Sequence, residues 1–200
     1  MKPVCVITGG GSGMGRATAK LVCEAGYHVI LVGRTAAKLE SAVAELTEAG
    51  HEAEAFACDL SDRASCEKLA RHAVERGQVK ALLHIAGMSP HMGSPEAILR
   101  ANALGTVNIN DSFYPVMAPG GCVIDTSSMS AYLAPGFIMP KHSYPLARTD
   151  REKFLKKRIQ SHFKYIINTR QRQNCREIFT VLSFFCAKYT KTGQNFCGFD

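Results

Sequence analysis

Nowhere in this sequence do about 18 apolar residues run together, the length a membrane-crossing helix needs, and Met1 leads almost directly into a strand-like segment with no cleavable apolar leader. The expected location is therefore the cytoplasm. The eight cysteines, at positions 5, 23, 58, 66, 122, 175, 186 and 197, form no CxxC pair and no Cys/His spacing that would close a tetrahedral metal site. They read as reduced thiols. Cys5, Cys58 and Cys122 sit in apolar runs as small hydrophobes, and neither a metal nor a disulfide framework is expected. Acidic residues are scarce in one place only. Lys and Arg number 13 against 14 Asp and Glu over residues 1–150, but 11 against 3 over residues 151–200, so the whole net charge of +7 belongs to the tail. That distribution gives no compact basic patch on the main body, and no specific nucleic-acid partner is expected.

What is present is one domain's worth of chain, 200 residues at 46% hydrophobic. Short apolar runs alternate with longer Ala-rich stretches, the pattern of βαβ units around a parallel sheet. Five strands are legible, at Val4 to Thr8, His28 to Val32, Glu54 to Ala57, Ala81 to Ile85 and Cys122 to Asp125. They alternate little, as expected when helices cover both faces. Amphipathic helices are predicted over Ser12 to Ala25, Ala36 to Ala49 and Asp62 to Glu75, each followed by a glycine (Gly26, Gly50, Gly77) suited to end it. A fourth helix is predicted from about Pro95 to Val116, and Pro135, Pro140 and Pro145 break up the stretch after it.

The composition then shifts. Residues 151–200 hold seven of the ten phenylalanines but only Ala187 among alanines. The domain reading is accordingly 1–150 for the α/β unit and 151–200 for a basic, Phe-rich segment. A basic helix is predicted from Arg151 to His162. The apolar set Ile178, Phe179, Val181, Leu182, Phe184 and Phe185 is preferred as a helix packed on the sheet, with a strand or no fixed structure as alternatives.

The segment Thr8-Gly9-Gly10-Gly11-Ser12-Gly13-Met14-Gly15 joins the first strand to the first helix. Glycines there permit a sharp turn and close backbone approach to a pyrophosphate, while the helix start offers free N–H groups and a positive dipole end. A GxGxxG spacing fits at no register. The TGxxxGxG spacing instead resembles the short-chain dehydrogenase/reductase family, and further landmarks follow in that family's order.

The resemblance implies a Rossmann-like, doubly wound parallel sheet with helices on both faces, incomplete on its C-terminal side. It implies a dinucleotide held by Thr8, Gly9, Gly11, Ser12, Gly13, Met14 and Gly15. After the second strand, Val32-Gly33-Arg34 lacks the carboxylate that would bind an NAD ribose and offers a guanidinium suited to a 2′-phosphate. NADP(H) is therefore favoured over NAD(H), with a solvated helix-start role for Arg34 as the alternative. Arg16 is open between a phosphate contact and surface charge. Asp59 and Leu60 resemble the family's acidic-apolar pair beside the adenine, although Asp59 alone would also serve as a helix cap. His84-Ile85-Ala86-Gly87 resembles the family's NNAG segment, with Ala86 and Gly87 bordering the cofactor and both asparagines replaced. His84 reads as a satisfied core residue.

For catalysis, the resemblance implies Asn102 as support for a water relay and Ser128 as the hydroxyl that orients the carbonyl. The family's Tyr-xxx-Lys pair, in which an ammonium lowers the phenol's pKa, has no counterpart. Its nearest substitute is Tyr144 with Arg148, across Pro145, and arginine is not interchangeable with lysine in a tight site.

The expectation is thus an NADP(H)-dependent oxidoreductase moving a hydride between nicotinamide and a carbonyl or alcohol of a small molecule. The alternatives are a non-catalytic NADP(H)-binding protein, or a family fragment whose tail departs from the ancestral reading frame. A homo-oligomer is compatible with the sequence.

Overall fold

The computed structural model of the protein describes residues 2–89, 91–127, 143–168 and 188–190. Ser128, Pro135, Pro140 and the apolar set within 178–185 lie outside the described residues. Strands β1 (Val4–Thr8), β2 (His28–Gly33), β3 (Ala53–Ala57), β4 (Val79–His84) and β5 (Cys122–Asp125) form a parallel sheet in the order β3-β2-β1-β4-β5. A three-residue strand β6 (Lys188–Thr190) joins β5 antiparallel, with Cys122 opposite Thr190.

The strand ends differ from the sequence pattern for local reasons. The second strand runs on to Gly33, whose carbonyl accepts the Cys58 N–H at 2.9 Å. The fourth stops at His84, because the Ile85 N–H turns to the Thr8 hydroxyl and leaves the ladder.

Helices α1 (Gly13–Glu24), α2 (Ala36–Glu48) and α3 (Arg63–Arg76) connect the first four strands. Side chains from β1 point alternately to the two sides of the sheet, so two cores form. Val4 and Val6 pack with Leu69, Ala70 and Ala73 of α3, while Cys5 and Ile7 pack with Ala19 of α1 and Leu39, Ala42 and Leu46 of α2. Burial on both faces explains the lack of polar residues in β1 before its last position. The edge strand β3 is different. Its Glu54 Oε1 lies 3.2 Å from His28 Nε2, 3.1 Å from His72 Nε2 and 2.9 Å from Arg76 Nε, a charged network along an edge that apolar residues would leave open to association.

The helix predicted from Pro95 to Val116 forms with an interruption. It comprises α4 (Pro95–Leu99), one wide π-helical turn (Arg100–Leu104), α5 (Gly105–Phe113) and a closing 3-10 turn at Tyr114–Val116 that contains Pro115. After β5, α6 (Leu146–Thr149) and α7 (Arg151–Asn168) follow, so the predicted basic helix is present and longer than expected. No helix among the described residues is long and apolar enough to cross a membrane.

The chain divides into two compact units. One contains the sheet, with the described residues of Met1–Ala86, Asn108–Thr126 and Cys186–Asp200. The other takes Gly87–Val107 and the described residues of Ser127–Phe185. Its core gathers Ile98, Leu99, Ala103 and Leu104 with Ala147, Phe154 and Leu155, and Arg100 joins Glu96 to Glu152 at the surface.

Helix starts separate into two kinds. The Asp62 carboxylate caps α3, accepting from the Ala64 and Ser65 N–H groups at 3.1 Å each, whereas Ser12 makes no side-chain cap at α1. Replacing Asp62 with alanine is expected to lower unfolding free energy by about 1 kcal/mol, and Ser12→Ala by only a few tenths. Urea unfolding of both variants measures this, and equal losses would contradict the assignment.

Candidate dinucleotide-binding and catalytic residues

The glycine-rich loop is shaped by close backbone contacts. Gly9 has φ of +72°, and a Cβ built on it would lie 3.1 Å from the Ala86 N and Cα atoms. A Cβ on Gly15 would lie 2.3 Å from the Gly9 carbonyl oxygen, inside any permitted contact. The loop therefore folds back on the first turn of α1 only because these positions carry no side chain. That first turn holds no acidic residue and no capping side chain, so its amides and the positive end of a 12-residue helix are left for an anion. Met14 is exposed beside it.

The two basic candidates are placed differently. Arg16 forms an ion pair with Glu45 on α2, its Nε 2.8 Å from Oε2, which favours the surface-charge reading. Arg34 is exposed just past β2 and ahead of α2, another helix without a capping side chain. Asp59 does not cap α3, since Asp62 does. Its Oδ1 instead accepts from the Ser61 N–H at 2.9 Å and the Ser61 hydroxyl at 2.8 Å, closing a local turn. Leu60 is buried, and its carbonyl accepts from Asn108 Nδ2 at 2.8 Å, a contact that fixes the loop after β3. No sequence motif singled out Asn108.

A row of polar residues crosses the carboxyl ends of three strands, where Thr8 is in register with His84, and His84 with Asp125. All three are buried. Thr8 Oγ1 lies 2.8 Å from His84 Nδ1 and accepts from the Ile85 and Ala86 N–H groups at 3.1 Å each, so its hydroxyl is fully engaged within the protein. The His84 carbonyl accepts from the Thr126 N–H at 3.0 Å and its hydroxyl at 3.1 Å. Asp125 Oδ2 accepts from Asn110 Nδ2 at 2.8 Å, while Asp125 Oδ1 and Asn110 Oδ1 have no hydrogen-bond partner among the described residues.

In the second unit, Asn102 lies in the π-helical turn and is buried. Its carboxamide spans the Met88 backbone, Oδ1 accepting from N–H at 2.7 Å and Nδ2 donating to the carbonyl at 2.8 Å. The Thr106 hydroxyl donates to the Asn102 carbonyl at 2.6 Å. Ser128 lies outside the described residues. Pro145 stands at the start of α6 and Arg148 is exposed in its last turn. Arg158 of α7, nearly wholly buried, meets Tyr144, with its guanidinium carbon 5.2 Å from the ring centroid. Burial pulls the Arg158 pKa down from the usual arginine range, and Tyr144 opposes that shift. Among the described residues no cluster of His, Cys, Asp or Glu could hold a metal.

Burial gives the polar row two opposing titrations. It pushes the Asp125 carboxyl from 3.8 up to about 6, so that contribution to stability is complete below 3.8 and lost as pH rises through 6. It pulls the His84 imidazole from 6.5 down to about 4, so that contribution is complete above 6.5 and lost as pH falls through 4. Asp125→Asn should leave a stability that climbs with pH over about 4 to 6.5, and His84→Asn one that declines over about 4 to 6. Denaturant titrations at stepped pH check this, and slopes of the same sign in both variants would contradict it.

The chain's relatives agree with this geometry. The family profile for short chain dehydrogenase matches residues 3–141. A fatty acyl-CoA reductase of Acinetobacter baylyi is 31% identical over 138 residues, covering 63% of this chain and 47% of the relative. The 2,3-dihydro-2,3-dihydroxybenzoate dehydrogenase of Bacillus subtilis is 31% identical over 138 residues, covering 64% and 53%. Among solved structures, a citronellol catabolism dehydrogenase of Pseudomonas aeruginosa superposes with a TM-score of 0.59 at 31% identity, covering 76% of this chain and 65% of the other. A metagenomic short-chain oxidoreductase in complex with NADP superposes with a TM-score of 0.57 at 26% identity, covering 64% and 63%. The chain spans about half the length of the curated relatives it matches. With its glycine loop, strand order and profile match in agreement, the chain belongs to the short-chain dehydrogenase family of oxidoreductases.

Proposed function

We propose that this chain binds NADP(H) in preference to NAD(H) and serves hydride transfer between the nicotinamide and a carbonyl or alcohol of a small molecule. The observation that carries the reading is the uncapped start of α1 behind a loop whose glycines allow no side chain. In this reading the amides at Gly13, Met14 and Gly15 receive the pyrophosphate, with Gly9, Gly11 and Ser12 shaping the approach. Thr8 holds the loop through the backbone at Ala86. Asp59 and Leu60 flank the adenine, and Ala86 and Gly87 border the cofactor further along.

Arg34 supplies the preference. It is the basic residue past β2 that no acidic partner engages among the described residues, and the preceding position is Gly33, where a carboxylate would select an NAD ribose. The NADP-bound relative is in keeping with this choice. When bound, the dinucleotide supplies or accepts the hydride. Asn102 and Ser128 are the candidate residues for the water relay and carbonyl orientation that the family pattern assigns.

A second reading is favoured by one specific observation. The sequence holds no Tyr-xxx-Lys pair, and Tyr144 meets the buried Arg158 rather than a lysine one helical turn on. A chain that binds NADP(H) without turnover fits that arrangement.

A thermal-unfolding titration with NADPH and with NADH tests the binding. A ligand at about 100 times its Kd adds about 2.7 kcal/mol to apparent stability. The expected result is a larger shift with NADPH, and Arg34→Ala is expected to weaken NADPH binding about tenfold or more while leaving NADH binding unchanged. An equal loss for both cofactors would remove Arg34 from the 2′-phosphate role. NADPH oxidation over a panel of carbonyl compounds separates the two readings.

A further inference from the structure

His84 replaces an asparagine of the family's pattern and is absorbed by none of the roles above, although it makes contacts in two directions. Its ring nitrogen Nδ1 lies 2.8 Å from the Thr8 hydroxyl, and its carbonyl accepts both the N–H and the hydroxyl of Thr126. Thr8 Oγ1 already accepts two backbone N–H groups, from Ile85 and Ala86 at 3.1 Å each. Two incoming donors occupy the lone pairs of the hydroxyl oxygen, so its own proton has to point at Nδ1. That fixes the tautomer. His84 is neutral, accepts at Nδ1 and carries its ring proton on Nε2. A protonated ring would bring a third donor to an oxygen with no lone pair left for it.

The backbone held this way is the piece that meets the glycine loop. A Cβ on Gly9 would lie 3.1 Å from both Ala86 N and Ala86 Cα, so small movements of Ala86 act directly on the start of the loop. His84 and Thr8 are both buried, so bulk water does not compete for either group.

We propose that His84 is a positioning residue for the dinucleotide loop: as an acceptor at Nδ1 it orients the Thr8 hydroxyl, whose oxygen then fixes the Ile85–Ala86 backbone against Gly9. Through its carbonyl the same residue holds Thr126, the last residue of that unit before the serine-bearing segment. The requirement is for an acceptor at one place and not for a base. The inference rests on the dinucleotide-binding reading, and its first readout is independent of cofactor.

The test compares wild type with His84→Leu, which keeps volume and removes the acceptor, and His84→Asn, whose Oδ1 can occupy the place of Nδ1. Hydrogen exchange of the Ile85 and Ala86 amides is measured without cofactor, together with the 15N shifts of the His84 ring. NADPH dissociation constants and thermal midpoints follow. The expected result is a ring with an unprotonated Nδ1, faster exchange at both amides in His84→Leu, and NADPH binding weaker by about tenfold, the cost of one misplaced hydrogen-bonding group. His84→Asn restores both exchange and binding.

The proposal is overturned by a ring protonated at Nδ1, by unchanged exchange in His84→Leu, or by an asparagine variant no better than the leucine one. Where His84→Leu does not fold, Thr8→Val removes the same hydroxyl and is read in the same way. If wild type binds neither NADPH nor NADH, the dinucleotide reading fails, and the exchange and ring measurements still decide what His84 does.

Discussion

A strand paired on both edges and covered on both faces has no access to water, and β1 is such a strand. Everything else in the sheet unit follows from satisfying it. Its apolar residues divide between two cores, and its backbone is used up by β2 and β4. Its one polar side chain, Thr8, sits at the end where the chain must turn into the glycine loop. An unpaired hydroxyl there would cost about 1–3 kcal/mol. Thr8 instead makes three hydrogen bonds, each to the end of β4 or the residues just past it. The place where the sheet ends and the loop begins is thus also where buried polar groups concentrate, with His84 and Asp125 continuing the row.

Most of this was legible in the sequence where burial is two-sided. The first strand matches residue for residue, because a run covered on both faces admits few polar residues and its ends stand out, and the fifth matches as a short apolar run although its Ile124 is exposed. Helix ends were marked by Asp62, Gly26 and Gly50, through capping and positive φ. Asp59 and Asp62 illustrate a limit of pattern reading. Two carboxylates three residues apart both suit a cap, and only the turn closed by Ser61 decides between them. The strand row of Thr8, His84 and Asp125 could have been suspected from three polar residues at the same place in successive apolar runs. What that row does depends on register, which no single segment contains.

The segment after β5 is less legible for a different reason. A stretch as rich in lysine and arginine as 151–158 looks like a solvated helix face, and most of its charges are exposed. Arg158 is not. Its burial depends on Tyr144 and on the apolar residues Phe154 and Leu155 of its own helix, which draw that face into the core of the second unit. Hydrophobic stems and a ring that attracts cations make the burial of a guanidinium tolerable. The family's Tyr-xxx-Lys pair sets a cation beside a tyrosine, and Tyr144 has such a neighbour in Arg158, fourteen positions on. The spacing places the pair on separate elements, so neither element's periodicity announces it.

The π-helical turn at Arg100–Leu104 separates two stretches with different commitments. Upstream, Ile98 and Leu99 belong to the core of one unit, while downstream Ile109 and Phe113 belong to that of the other. Each residue advances a helix by about 100°, so the additional residue in the wide turn sets the angle of Asn102 relative to Ile98 and Leu99 just upstream. Length and phase are therefore tied together across this turn. Removing a single residue between Leu99 and Asn102 would preserve helical continuity, yet it would rotate Asn102 by about 100° away from the Met88 backbone that its carboxamide now spans. In evolutionary terms, the segment should accept substitutions far more readily than insertions or deletions, an asymmetry that its unremarkable amino-acid content conceals.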